Sequence, residues 1–258
     1  METKKAFVRK PATTLADGIV THIEKEPVDL ELARTQWANY VKALQDHGWA
    51  TIEVPVADDC PDSVFIEDTM VVYGDLAVMM NPGADSRKPE ITAAEESARE
   101  AGYRIAHIQD PGTMDGGDVL KFGGTVWVGM GGRSNQEGVD QLAELLAPLG
   151  ATVVGVPLTK VLHLKSAVTA LPDGTVIGYE PLVDDPSVWE NFMGVPEEAG
   201  SHVVLLDGNT LLMASSAPRT IELFKDKGYD VVDVNISEYE KLEGCVTCLS
   251  VRLRGLPS

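Results

Sequence analysis

One pattern recurs along this chain and limits its fold more than any other feature. A two-stranded hairpin is followed by a helix and, after three of these helices, by a further strand, so the unit is strand, strand, helix, strand. The run VFIEDTMVVYGDLAVMMN (64–81) reads as two strands turning at Tyr73-Gly74-Asp75. DVLKFGGTVWVGMG (118–131) turns at Gly123-Gly124, SAVTALPDGTVIGYE (166–180) at Pro172-Asp173-Gly174, and HVVLLDGNTLLMAS (202–215) at Asp207-Gly208-Asn209. In each, β-branched and long apolar residues flank turn residues, the signal expected of a hairpin. Thr92 with Glu95, and Ser134 with Glu137, have the spacing of capping boxes that open helices. The second precedes an apolar stripe of Val139, Leu142, Leu145, Leu146 and Leu149. Ser187-Val-Trp-Glu190 reads as the start of a shorter helix. Pro218 suits a first helical position before Ile221 and Phe224, with Gly228 as the stop. Further strands are expected at 103–108, 151–156 and 229–234.

A fifth strand-like segment, CVTCLSVRLR, begins at Cys245, so the chain ends just after starting a unit. It begins with the missing pieces of one. These are a strand at 6–9, a helix capped by Asp29 and carrying Leu30, Ala33, Trp37, Tyr40, Val41 and Leu44 up to Gly48, and a strand at 50–54. Such an arrangement predicts α/β repeats that close on themselves, as in a propeller, within one domain over residues 1–258. A plain α+β domain is the alternative.

Composition then narrows the function. The formal net charge is −19, which argues against nucleic acid and anionic membranes, since phosphate binding needs clustered Lys and Arg. It favours small cationic ligands. The longest apolar run, 76–80, is far short of a membrane span of about 20 residues. No signal peptide is read at the N-terminus, and three cysteines build no disulfide framework. A cytoplasmic protein is expected.

Several reactive residues fall at hairpin entrances and exits. Cys245-Val-Thr-Cys248 is a CxxC, but the alternation after it is strand-like, whereas a redox pair opens a helix. A zinc site would need Cys60 and His163 as further ligands. Asp62, Glu67 and Asp68 lie in or beside an apolar strand, which suggests either a solvated edge or a pocket for a cation. Asp115-Gly-Gly-Asp118 precedes the second hairpin, and its glycines permit a positive φ or a close backbone approach. His163 precedes the third hairpin among apolar residues, as a core histidine or a site residue. Arg87 and Arg133 follow the second strands of successive hairpins, and such a pair can hold a carboxylate.

The runs CPDSVFIEDTMVV, NPGADSRK, TMDGGDVL, VGMGGRSNQEG, LHLKS and EGCVTCLSV, taken together and in order, resemble the dimethylarginine dimethylaminohydrolases of the guanidine-modifying enzyme superfamily. The resemblance implies a five-bladed α/β propeller, the pentein fold. It implies hydrolysis of Nω-methylated arginine to citrulline and a methylamine, with no cofactor and no metal, a small-molecule substrate and no macromolecular one. Whether the chain forms a homodimer is left open. Position by position, Cys248 matches the nucleophile, His163 the general acid/base and Asp115 the carboxylate that orients it. Asp62, Glu67 and Asp68 match acids around the substrate's cationic groups, and Arg87 and Arg133 match residues that hold its α-carboxylate. In the N-terminal lid Ile19 or Val20, with Val20 preferred, matches a leucine, and Leu242 matches a backbone contact. The rival readings are an arginine deiminase and a non-enzymatic relative such as a ribosome anti-association factor.

Overall fold

The computed structural model describes residues 4–253. Its strands fall into five separate three-stranded sheets. In chain order the elements are β1 (Lys4–Val8), α1 (Leu30–Asp46), β2 (Trp49–Glu53), β3 (Met70–Tyr73), β4 (Leu76–Met79), α2 (Ile91–Glu100) and β5 (Arg104–His107). Next come β6 (Val119–Phe122), β7 (Thr125–Met130), α3 (Gln136–Leu146), β8 (Thr152–Pro157), the single turn α4 (Leu164–Ala167), β9 (Val168–Ala170), β10 (Val176–Gly178) and β11 (Phe192–Gly194). The last are β12 (Val204–Leu205), β13 (Thr210–Ala214), α5 (Pro218–Asp226), β14 (Asp230–Val234), α6 (Ser237–Glu240) and β15 (Val251–Leu253).

Every sheet has the same plan: the middle strand pairs antiparallel with one neighbour and parallel with the other. In the fifth sheet the middle strand is β1, antiparallel to β15 and parallel to β2. Segments from the N-terminal and C-terminal parts of the chain thus build one blade, as the repeat pattern predicts. The blades are tied by five apolar clusters, each joining two neighbouring sheets. Phe7 and Val251 meet Met70 and Met79. Val71 and Val78 meet Val119 and Val126, and Leu120 and Val156 meet Val168 and Val176. Ile177 meets Leu211 and Met213, and Ala6 and Val8 meet Val204, Leu212 and Ala214. Short strands cannot each bury a core alone; stacked in a ring, they share one.

Local chemistry explains most boundaries. The Asp29 carboxylate accepts from the Glu31 and Leu32 amides, both at 3.0 Å, and starts α1. Gly48, at φ +80°, ends it. Gly123 and Gly124 both take positive φ in the β6–β7 turn, a conformation that favours glycine.

Some expectations are corrected. Residues 64–69 do not form a strand: Pro61–Val64 and Ile66–Thr69 are 3₁₀ turns, and pairing starts only at Met70. The two adjacent acids take different partners: Glu67 meets Lys165 and Arg252, and Asp68 meets Arg87. Thr92 is not a cap, because α2 already starts at Ile91. Asn135, one residue beyond Ser134, caps α3 through Gly138. Residues 187–190 form no α-helix; Asp185 caps a single 3₁₀ turn, Pro186–Val188, and the unrecognised β11 completes that blade. Cys245 through Leu249 lie in turns, with β15 starting at Val251.

Candidate active site

Burial of charge organises this region, since a carboxylate taken out of water needs partners. Asp62, Glu67, Asp68, Arg87, Glu90, Asp115, Asp118, Arg133 and His163 are all buried. Asp68 accepts from Arg87 Nη1 at 2.5 Å and from the Gly117 amide at 2.8 Å, and its Oδ1 lies 3.8 Å from His163 Nδ1. Burial works to raise its pKa, but the positive charges of His163 and Arg87 outweigh that and hold it at about 2. Asp115 Oδ2 meets His163 Nε2 at 3.0 Å and Arg133 Nη1 at 3.3 Å. Asp118, pushed up to about 6 by burial, accepts from Ser134 Oγ at 2.6 Å and the Leu164 amide at 3.0 Å. That bond to Leu164 fixes the backbone next to His163.

Burial disfavours a charged His163, yet Asp68, Asp115 and Asp118 overcome it and raise its pKa to about 9. At neutral pH the ring is therefore an imidazolium. Because this pKa lies above the unfolded value, the group's stabilisation is complete below pH about 6.5 and is lost as pH rises through about 9. The shift corresponds to on the order of 3 kcal/mol. Urea unfolding at pH 6.5 and 9.5 should show that loss. His163→Gln should show a shallower decline over the same interval; an equal decline would assign it to other groups.

The DGGD glycines serve close approach rather than positive φ. A Cβ on Gly117 would lie 2.6 Å from both Asp68 Oδ1 and His163 Nδ1, and one on Gly116 would overlap the Glu67 carbonyl.

Cys248 is held in the turn before β15. Its amide donates to the Cys245 carbonyl at 3.1 Å, and its carbonyl accepts from the Glu67 amide at 3.2 Å. Its Sγ lies 3.3 Å from Cys245 Sγ. The thiol's pKa is held above its ordinary value by that contact, by burial and by the charges of Glu67 and Asp68.

The irregular strap 18–28 covers this region. The Ile19 amide donates to both Asp62 oxygens at 3.2 Å. The Thr21 and His22 amides donate to the Glu243 carboxylate at 2.6 and 2.8 Å. Lys241 Nζ reaches the Pro27 carbonyl at 3.1 Å. Glu243 itself has φ +60°, which is unfavourable for a residue with a Cβ.

Seven of the expected residues, Asp62, Asp68, Arg87, Arg133, His163, Leu242 and Cys248, line one cavity, with Asp115 behind His163. Its volume is about 20 Å³, room for a single water. Two expected residues lie elsewhere. Glu67 Oε1 meets Lys165 at 2.6 Å and Arg252 at 3.0 Å, and borders a separate cavity of about 650 Å³ ringed by the hairpin turns. Ile19, not Val20, borders the small cavity; Val20 packs against the core around α1.

Sequence reasoning missed Phe65, Leu162, Glu243 and Gly244 in the wall, and Glu90 behind it. Glu90 carried a signal, lying three residues after Arg87 on the same turn; Glu243 meets a strap more than two hundred residues away and carried none. Asp68, Asp115 and His163 offer ligand atoms within 4.8 Å of one another. However, Arg87 and Arg133 already sit on those carboxylates, and two guanidiniums there oppose a further dication. Cys60, Cys245 and Cys248 join no metal-binding group among the described residues.

A closed ring of five three-stranded blades, four of them with an α-helix before the parallel strand, and a buried polar cavity where the blades meet define a pentein. No family model matches the chain. A Streptomyces coelicolor protein named N(G),N(G)-dimethylarginine dimethylaminohydrolase is 59% identical over 256 residues, covering 99% of both chains. A Pseudomonas aeruginosa protein of the same name is 32% identical over 252 residues, covering 96% of this chain and 99% of its own. The chain belongs to the dimethylarginine dimethylaminohydrolase family. A cysteine-to-serine variant of the P. aeruginosa enzyme complexed with citrulline superposes with a TM-score of 0.91, at 31% identity over 98% of this chain and all of its own. The histidine-variant adduct of a family member with S-methyl-L-thiocitrulline also gives 0.91, at 30% identity over the same shares.

Proposed function

We propose that this chain hydrolyses Nω-methylated arginines to citrulline and the corresponding methylamine, with Cys248 as nucleophile and His163 as acid and base. One observation carries the reading: the Cys248 thiol, the His163 imidazolium, the Asp62 and Asp68 carboxylates and two guanidiniums line one cavity. That set complements an amino acid with a cationic planar tail. Asp62 and Asp68 suit its cationic groups, and Arg87 and Arg133 suit its α-carboxylate.

The two arginines are held differently. Arg87 is fixed by both Glu90 oxygens, at 2.9 and 2.8 Å, by Asp68 and by two backbone carbonyls. Arg133 has one side-chain hydrogen bond among the described residues, to Asp115 at 3.3 Å. A cavity of about 20 Å³ cannot take an arginine side chain. Entry therefore requires the strap to lift and Arg133 to swing toward the incoming carboxylate, while Arg87 stays in place. Glu67, committed to Lys165 and Arg252, acts only through its charge.

The chemistry follows from charge. A substrate cation beside Cys248 favours the thiolate that the surrounding carboxylates oppose. The sulfur attacks the guanidinium carbon, held facing it by the carboxylates. His163, already protonated, gives its proton to the departing amine, leaving a thiouronium on Cys248. The neutral ring then takes a proton from water, which attacks the same carbon; citrulline leaves and the thiolate returns. Asp115 keeps the ring oriented through both steps.

Citrulline release from Nω,Nω-dimethylarginine and from arginine tests the reading. Preference for the methylated substrate is expected; preference for arginine would mark a deiminase instead. The strap has its own test. Glu243→Ala removes a charged acceptor of two amides, each bond worth about 1.5 kcal/mol or more. KM should rise about tenfold or more, with a smaller change in kcat; an unchanged KM would show that Glu243 does not hold the strap.

A further inference from the structure

The Cys245–Cys248 pair has a geometry that the hydrolytic reaction does not use. Both cysteines are free and buried, and their sulfurs are 3.3 Å apart. The Cys248 amide already bonds the Cys245 carbonyl, closing the four-residue turn that brings the two ends of the motif together. A disulfide has sulfurs about 2.05 Å apart, so bonding needs roughly one ångström of approach. The flanking backbone is tied down independently. Tyr40 Oη bonds the Val246 carbonyl at 2.8 Å and Ser250 Oγ at 2.7 Å, and Arg252 reaches the Ser250 carbonyl at 3.1 Å. Access is unequal: Cys248 borders the cavity and Cys245 does not. A small oxidant that enters the cavity meets Cys248 first.

We propose that Cys245 is a resolving thiol, and that peroxide oxidation of Cys248 ends in a reversible Cys245–Cys248 disulfide. In the first step the Cys248 thiolate attacks one oxygen of hydrogen peroxide. An S–O bond forms, the O–O bond breaks, and hydroxide leaves and takes up a proton as water; sulfur loses two electrons and the peroxide gains them. In the second step the Cys245 thiolate attacks the Cys248 sulfur. The S–S bond forms, the S–O bond breaks, and the departing hydroxide takes the proton that Cys245 gave up. Two thiols and one peroxide become one disulfide and two waters. Without a resolving thiol, the sulfenic acid is open to further oxidation to the irreversible sulfinic acid. With one beside it, a dithiol reductant restores both cysteines. Loss of activity on oxidation rests on Cys248 being the nucleophile; disulfide formation itself does not.

The test is peptide mass spectrometry of the full chain after hydrogen peroxide, without reduction. Trypsin cleavage after Lys241 and Arg252 yields one peptide, 242–252, holding both cysteines. The expected product is that peptide lighter by two hydrogens, with lost turnover restored by dithiothreitol. In Cys245→Ser, the same treatment should add two oxygens to the peptide, and dithiothreitol should restore nothing. A wild-type peptide that gains oxygen without ever losing two hydrogens would overturn the proposal. So would equal recovery by Cys245→Ser. If the disulfide forms while turnover persists, the resolving role stands and the assignment of Cys248 as nucleophile falls.

Discussion

Cys248→Ser is expected to lower citrulline formation by about three orders of magnitude or more. The size follows from the site's charges. A hydroxyl needs a base to become a nucleophile, and His163, the histidine lining the same cavity, is already an imidazolium at neutral pH. The carboxylates that hold the thiol's pKa up would oppose an alkoxide as well. The exchange replaces one buried atom, so folding should survive; a thermal transition within a few degrees of the parent's separates lost chemistry from lost structure. Turnover near the parent rate would remove Cys248 from the mechanism.

His163→Gln should lower kcat for dimethylarginine by about two to four orders of magnitude. Dimethylamine is a poor leaving group unless protonated, so the first half-reaction loses its acid. A substrate whose leaving group is a thiol needs no such proton. With S-methyl-L-thiocitrulline the variant should therefore still lose methanethiol to form the Cys248 thiouronium and then stall, because the base for water is also missing. Equal loss on both substrates, with no adduct, would place His163 in binding or structure rather than in proton transfer.

The ring of blades was legible in the sequence because its punctuation is local. Turn glycines, the Asp29 cap and the Pro218 start act over a few residues, and they sit where expected. The broken fifth unit at the two chain ends predicted the closing sheet that β15, β1 and β2 form. The two misassigned strand segments have one origin. Apolar patterning assigned residues 64–69 and 245–249 to strands, whereas long-range contacts turned them into loops. Glu67 and Asp68 answer to Lys165, Arg252 and Arg87, and the Cys248 turn is anchored by Tyr40 through its neighbours. No local rule reports such partners. The same limit explains the site. Residue types at hairpin ends indicated an amino acid with a cationic tail, but not that Glu67 would be drawn away from the cavity. Nor could they show that Glu243, on the last connecting loop, would hold the N-terminal strap.

These charges also restate what −19 means for this chain. Asp62, Asp68 and Asp115 are buried against Arg87, Arg133 and the Ile19 amide, so the cavity is a balanced set rather than an acidic hole. An amino acid with a guanidinium tail presents both signs to such a set, whereas a simple cation presents one.

The most direct measurement is peptide mass spectrometry of the protein quenched in acid during steady turnover of Nω,Nω-dimethylarginine. A covalent mechanism predicts that peptide 242–252 carries the substrate less dimethylamine, attached at Cys248, and that the adduct disappears as substrate is exhausted. Citrulline accumulating while Cys248 stays unmodified at every quench time, or an adduct found on another residue, would contradict it.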